Sequence, residues 1–106
     1  MLTKKYLNIM SNIDIKLKEK YNNSSETKKE EIFARALKFN EEVWELNSEL
    51  LAKYYKRRNW KFSEENLEWE FADVMWTLIL LAMSLNIDMN KSLEMKLEKL
   101  INRWGI

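Results

Sequence analysis

The chain has 106 residues, no Cys, no His, no Pro and a single Gly, and its net charge is +1. This excludes a disulfide framework, a zinc ribbon, a thiol nucleophile and any histidine-based site, and it argues against a general nucleic-acid binder. A chain of this length is one domain, residues 1–106. It buries only about two-thirds of its unfolded surface, so apolar content of 46% implies a subunit interface as well as a core.

Residues 2–21 read as a first helix, because Leu2, Tyr6, Met10, Ile13 and Leu17 recur at steps of three and four. Lys4, Lys5 and Asp14 deprive this segment of the apolar core of a signal peptide. Asn22-Asn23-Ser24-Ser25 breaks the pattern, and Ser24 or Ser25 can cap the next helix, with Thr27 in its first turn.

The second helix is expected over residues 26–57. Ala36, Phe39, Val43, Leu46 and Leu50 form one apolar stripe; Phe33, Leu37, Trp44 and Leu51 form another. Two stripes call for neighbours on two sides. Arg58 to Phe62 reads as a loop, Ser63 as an N-cap and residues 64–85 as a third helix, with Asn66 where a complete capping box needs Glu or Gln. Asn86-Ile87-Asp88 is a turn. Asp88 caps a fourth helix over residues 89–104, with core stripe Leu93, Leu97, Leu100 and Trp104, and Gly105 stops it. Short connections make neighbouring helices antiparallel, so the expected fold is all-α, a four-helix bundle or a close relative. The longest apolar run, residues 71–85, is too short to span a bilayer and contains Asp73. The expectation is a soluble, cytoplasmic protein.

Two acidic groups stand out. On the second helix Glu41, Glu42, Glu45, Ser48 and Glu49 share a polar sector with Lys38. Such a sector is ordinarily a solvated face, but Glu42 borders the apolar stripe and Glu45 lies one turn from it. On the third helix Asn66, Glu70, Asp73, Thr77 and Ser84 form a narrow polar stripe on an otherwise apolar surface. That stripe must face a partner, a cavity or an ion. The plain alternative is a buried hydrogen-bond network or an ion pair with Lys or Arg of another helix. Glu42, Glu45, Glu70 and Asp73 together make a hard oxygen site suited to Mg²⁺ or Mn²⁺. A di-iron centre would need Glu-x-x-His pairs, which a His-free chain lacks.

Glu41-Glu42-Val43-Trp44-Glu45 followed by Glu70-Phe71-Ala72-Asp73 resembles the signature of the MazG-like all-α nucleoside triphosphate pyrophosphatases. The similarity continues through Leu80-Leu81-Ala82 and Asn86-Ile87-Asp88 to Lys96-Leu97-Glu98-Lys99, and covers residues 33–104. It implies Mg²⁺-dependent hydrolysis of a (deoxy)nucleoside triphosphate to the monophosphate and pyrophosphate, a house-cleaning activity against non-canonical or surplus nucleotides. It implies Glu42, Glu45, Glu70 and Asp73 as metal ligands, catalytic roles for Glu42 and Glu45, and for Glu41 the orienting of water or ligand. It implies Lys96 and Arg103, with Lys99 beside them, as a triphosphate clamp. The apolar content, for its part, leads to the expectation of a homodimer or homotetramer. The chain departs from the family pattern at Trp44, where a small residue is common, and at Leu100, where many members carry Asn. Trp44 then alters packing beside the site or lends its ring to the base. Rival expectations are a non-catalytic helical adaptor and a nucleotide-binding regulatory protein.

Lys53, Lys56, Arg57, Arg58 and Lys61 cluster near the loop before the third helix, mostly as solvated charge. Among the aromatics, Trp76 and Trp104 fall with core residues, whereas Trp44, Tyr54, Trp60 and Trp69 are candidates for base stacking or an interface.

Overall fold

A computed structural model describes residues 1–21, 27–55 and 63–106. The proposed Ser24 or Ser25 cap, the loop at residues 58–62, the basic residues Lys56, Arg57, Arg58 and Lys61, Trp60 and the outer ends of the second helix lie outside those residues. The elements are α1 (Lys4–Tyr21), α2 (Lys28–Tyr55), α3 (Glu64–Ser84) and α4 (Met89–Trp104). Among the described residues the fold is all-helical.

Each helix starts where a side-chain oxygen can take an orphan N–H. Thr3 Oγ1 accepts from the Tyr6 amide at 3.2 Å, so α1 begins at Lys4 rather than at Leu2. Thr27 Oγ1 accepts from the Glu30 amide at 3.2 Å, so α2 begins at Lys28, with Glu30 and Glu31 in its first turn. Ser63 caps α3 by accepting from the Asn66 amide at 3.0 Å, and Asp88 caps α4 by accepting from Lys91 at 3.2 Å. The end of α3 is a Schellman motif. The Ile87 amide donates to Ala82 at 2.9 Å and the Asn86 amide to Met83 at 3.2 Å, with Asn86 left-handed at φ 55°. Gly105 closes α4 in the same region at φ 66°.

Among the described residues, the one extensive helix–helix contact is α2 against α3. The pair is antiparallel: Lys53 meets Glu64 at 3.0 Å, and Arg35, eighteen residues earlier, meets Ser84 Oγ at 2.7 Å. The half-buried stripe Ala36, Phe39, Val43, Leu46 and Leu50 belongs to this packed pair, whereas Phe33, Leu37, Trp44 and Leu51 are exposed. The expected four-helix bundle is therefore not assembled within one chain. The chain turns by 107° between α3 and α4, so this connection is nearer perpendicular than antiparallel. The left-handed Asn86 and the extended Asp88 (ψ 108°) set that exit angle. The N-terminus reaches α4 through Asn90, whose side chain accepts from the Leu2 amide and donates to the Leu2 carbonyl, both at 2.9 Å.

Among the described residues, a polar tie centred on Arg35 holds α1 to the central pair. The Arg35 guanidinium donates to Asp14 Oδ1 at 2.6 Å, to the Leu80 carbonyl at 2.9 Å and to Ser84 Oγ, so one side chain joins α1, α2 and α3. Lys18 adds a second cation 3.2 Å from Asp14. Burial raises the Asp14 pKa, but the hydrogen bonds and charges of Arg35 and Lys18 outweigh it and hold the carboxyl below its ordinary value.

The molecule is open. Its radius of gyration is 16.9 Å, where a compact chain of this length has about 13 Å. Among the described residues only Ala52, Ile79 and Ala82 are fully buried apolar residues, against six polar ones: Asp14, Glu42, Ser48, Glu49, Thr77 and Ser84. No single described helix is long and apolar enough to cross a membrane.

Candidate metal centre

The antiparallel register of α2 and α3 brings the two acidic motifs face to face. Glu42 and Glu45 lie one turn apart on α2, and Glu70 comes from the second turn of α3. One carboxylate oxygen from each of Glu42, Glu45 and Glu70 lies within 4.8 Å of the others. Two oxygens on one ion cannot be farther apart than twice the metal–oxygen distance, about 4.2 Å for Mg²⁺ and about 5 Å for Ca²⁺. The three side chains are thus within reach of one shared ion and would draw closer together on Mg²⁺.

Their surroundings are unfavourable for bare negative charge. Glu42 is only 7% exposed, and the Oε2 atoms of Glu42 and Glu70 are buried without a hydrogen-bond partner. Burial raises the Glu70 pKa, and the carboxylates of Glu45, Asp73, Glu42 and Glu49 push it further the same way. Glu45 is raised by burial and then by Glu42. Orphaned carboxylate oxygens in a converging group are the arrangement that a hard divalent cation relieves. With no His or Cys in the chain, the donor set suits Mg²⁺ or Mn²⁺ and not zinc or copper.

Asp73 stands one turn beyond Glu70, half-buried and outside the 4.8 Å group. It lines a cleft of about 840 Å³ together with Glu42, Lys38, Trp76 and Thr77. Thr77 donates back to the Asp73 carbonyl at 2.9 Å and so offers the cleft no free hydroxyl proton. The polar stripe of α3 therefore divides. Ser84 belongs to the Arg35 network, which is the plain reading, and Thr77 satisfies itself within the helix. Glu70 and Asp73 remain for the site.

Glu41 is exposed and lies 3.5 Å from Lys38 Nζ, outside the carboxylate cluster. Lys96, Lys99 and Arg103 are exposed on α4, and none lines the cleft within this chain; Trp44 is exposed likewise. Trp76, read from the sequence as core, is half-buried and forms cleft wall. Glu49, 4% exposed, was not among the expected ligands although it adds negative charge at Glu70. Its place seven residues after Glu42, two turns along the same face, was the available signal. Arg35 had no signal, because its partners Asp14, Leu80 and Ser84 lie on two other helices, α1 and α3.

Comparison with protein-family models, with characterised proteins and with solved structures gives no match for this chain.

Proposed function

We propose that this protein is a Mg²⁺-dependent nucleoside triphosphate pyrophosphohydrolase with a MazG-type fold, working as a homo-oligomer. The observation that carries the reading is the convergence of Glu42, Glu45 and Glu70, two of them with buried, unpartnered oxygens, beside a cleft that Asp73 also lines. These residues are four of the five acids of the two motifs. Mg²⁺ or Mn²⁺ held there would neutralise phosphate charge and lower the pKa of a bound water.

The chain's own groups supply the remainder. Glu42 and Glu45 hold the metal side of the site and Glu70 faces them from α3. Asp73 borders the cleft where the phosphates would lie. Trp76 and Leu80 give the cleft an apolar wall against which a base can rest.

The oligomer is argued from area. The chain exposes 8794 Å², where a folded monomer of 12.9 kDa exposes about 6,300 Å². The excess of roughly 2,500 Å² per chain is on the scale of an obligate interface. Docking of α4 from a second copy is also a route by which Lys96, Lys99 and Arg103 reach a cleft they do not line in one chain. Their distance from the cleft favours, as a second reading, a regulatory protein that binds nucleotide without turnover.

Pyrophosphate release from a panel of (d)NTPs separates these. The enzyme reading requires release with Mg²⁺ or Mn²⁺, none with EDTA, and loss of at least about 10²-fold in Glu42→Gln and Asp73→Asn with folding retained. Activity that survives both changes sinks it. Nucleotide binding without release establishes the second reading.

A further inference from the structure

Lys38 stands where the acid cluster and the cleft meet. Its Nζ lies 3.3 Å from Glu42 Oε1 and 3.5 Å from Glu41 Oε2, and its side chain also lines the cleft. The other cations along that cleft have partners elsewhere. Arg35 is held by Asp14 and Ser84, Lys18 by Asp14, and Lys28 by Glu31 at 3.2 Å. Among them Lys38 is the one whose ionic partners belong to the acidic motif.

Its position is open to solvent, as exchange requires. The Lys38 side chain is 56% exposed while that of Glu42 is 9% exposed. The acid is enclosed by the helix pair and the cation on it faces solvent. A divalent ion on Glu42 would repel an ammonium at contact distance on the same carboxylate. The long lysine stem lets the charge move into the cleft without moving the helix. There it would meet whatever anion the metal carries.

Resting on the metal site proposed above, we infer that Lys38 is an exchangeable counter-cation: it neutralises Glu42 while the cluster holds no metal, and contacts the phosphate of a metal-bound polyphosphate once the ion has taken its place. Lys38 is thereby a substrate-positioning residue that also sets metal affinity, with opposite signs for the two ligands.

The test is calorimetric and needs no turnover. Mn²⁺ is titrated into the wild type, Lys38→Met, Lys38→Gln and Lys38→Arg, and inorganic pyrophosphate is then titrated into each at saturating Mg²⁺. Both neutral variants are expected to bind Mn²⁺ alone about threefold to tenfold more tightly, because a competing cation is gone. They are expected to bind pyrophosphate about tenfold more weakly, because a charged hydrogen-bond donor is gone. Lys38→Arg should stay near wild type in both. Thermal melts confirm that each variant is folded. If the wild type binds Mn²⁺ and the neutral variants change both affinities in the same direction, or neither, the exchange is overturned while the metal site stands. If the wild type takes up no Mn²⁺, both fall.

Discussion

Glu42 on α2 and Glu70 on α3 place carboxylate oxygens within 4.8 Å of each other across the helix pair, and the Oε2 atom of each is buried without a partner. Lys38 offsets Glu42 at 3.3 Å, whereas burial and the neighbouring carboxylates work against Glu70, so without metal the Glu70 charge opposes the packing of the two helices. Glu70→Gln removes one charge and keeps the shape. In EDTA its melting temperature should rise, by roughly 4–8 °C for each kcal/mol of repulsion relieved. The wild type should gain the larger increment on adding Mg²⁺, up to about 2.7 kcal/mol at a hundredfold excess over Kd. A variant less stable than wild type in EDTA would show that Glu70 has a favourable partner.

Arg35 is the only described side chain whose hydrogen bonds join three helices, and removing it leaves Asp14 buried beside a single remaining cation, Lys18. Arg35→Met should cost near the lower end of the roughly 3–5 kcal/mol typical of breaking a buried ion pair. Urea unfolding measures the loss. Hydrogen exchange should show protection falling in α1 before α2 and α3, because α1 lacks another extensive contact within the chain.

The same pair sets a pH dependence. The folded-state pKa of Asp14 lies below its unfolded value of 3.8. Its contribution to stability is therefore fully present above pH 3.8 and is lost as pH falls through the lower, folded pKa. Wild type should lose stability below that pH more steeply than Asp14→Asn, in melts at matched ionic strength. Glu45 and Glu70 act in the opposite sense, being raised from 4.5, so their contribution is present below that pH and fades as pH rises. Carrying the Asp14 comparison on a Glu70→Gln background reduces that opposing slope.

Leu37 is 69% exposed on the second stripe of α2, where Phe33 and Trp44 are exposed as well. In a monomer Leu37→Glu would be neutral. In the proposed oligomer it places a charge in the interface, where burial of one such side chain contributes about 1.5–3 kcal/mol. Sedimentation equilibrium should find the wild type at a multiple of 12.9 kDa and the variant shifted toward the monomer mass. An unshifted variant would place the interface on another face.

The helices were legible because their signals are local. Apolar steps of three and four, Ser63 and Asp88 as caps, and Gly105 as a stop all act within one turn. The difference at the start of α1 was local too: Thr3 takes the capping role and moves that start from Leu2 to Lys4. The pairing of the acidic motifs was legible for a related reason. Glu42 and Glu45, like Glu70 and Asp73, are neighbours by helix geometry alone, so only the register of two helices separated them from a site.

Composition and periodicity alone establish which stretches are helical, which acids share a face, and that no His or Cys ligand exists. Tertiary packing settles what those faces meet. It sets Glu70 against Glu42 and Glu45 and leaves Asp73 at the cleft. It turns Trp76 from core into wall, gives Ser84 to Arg35, and leaves the second stripe of α2 exposed and the cations of α4 away from the cleft. These outcomes depend on register and crossing angle, which arise from packing between segments far apart in sequence. Periodicity along one helix carries no information about them.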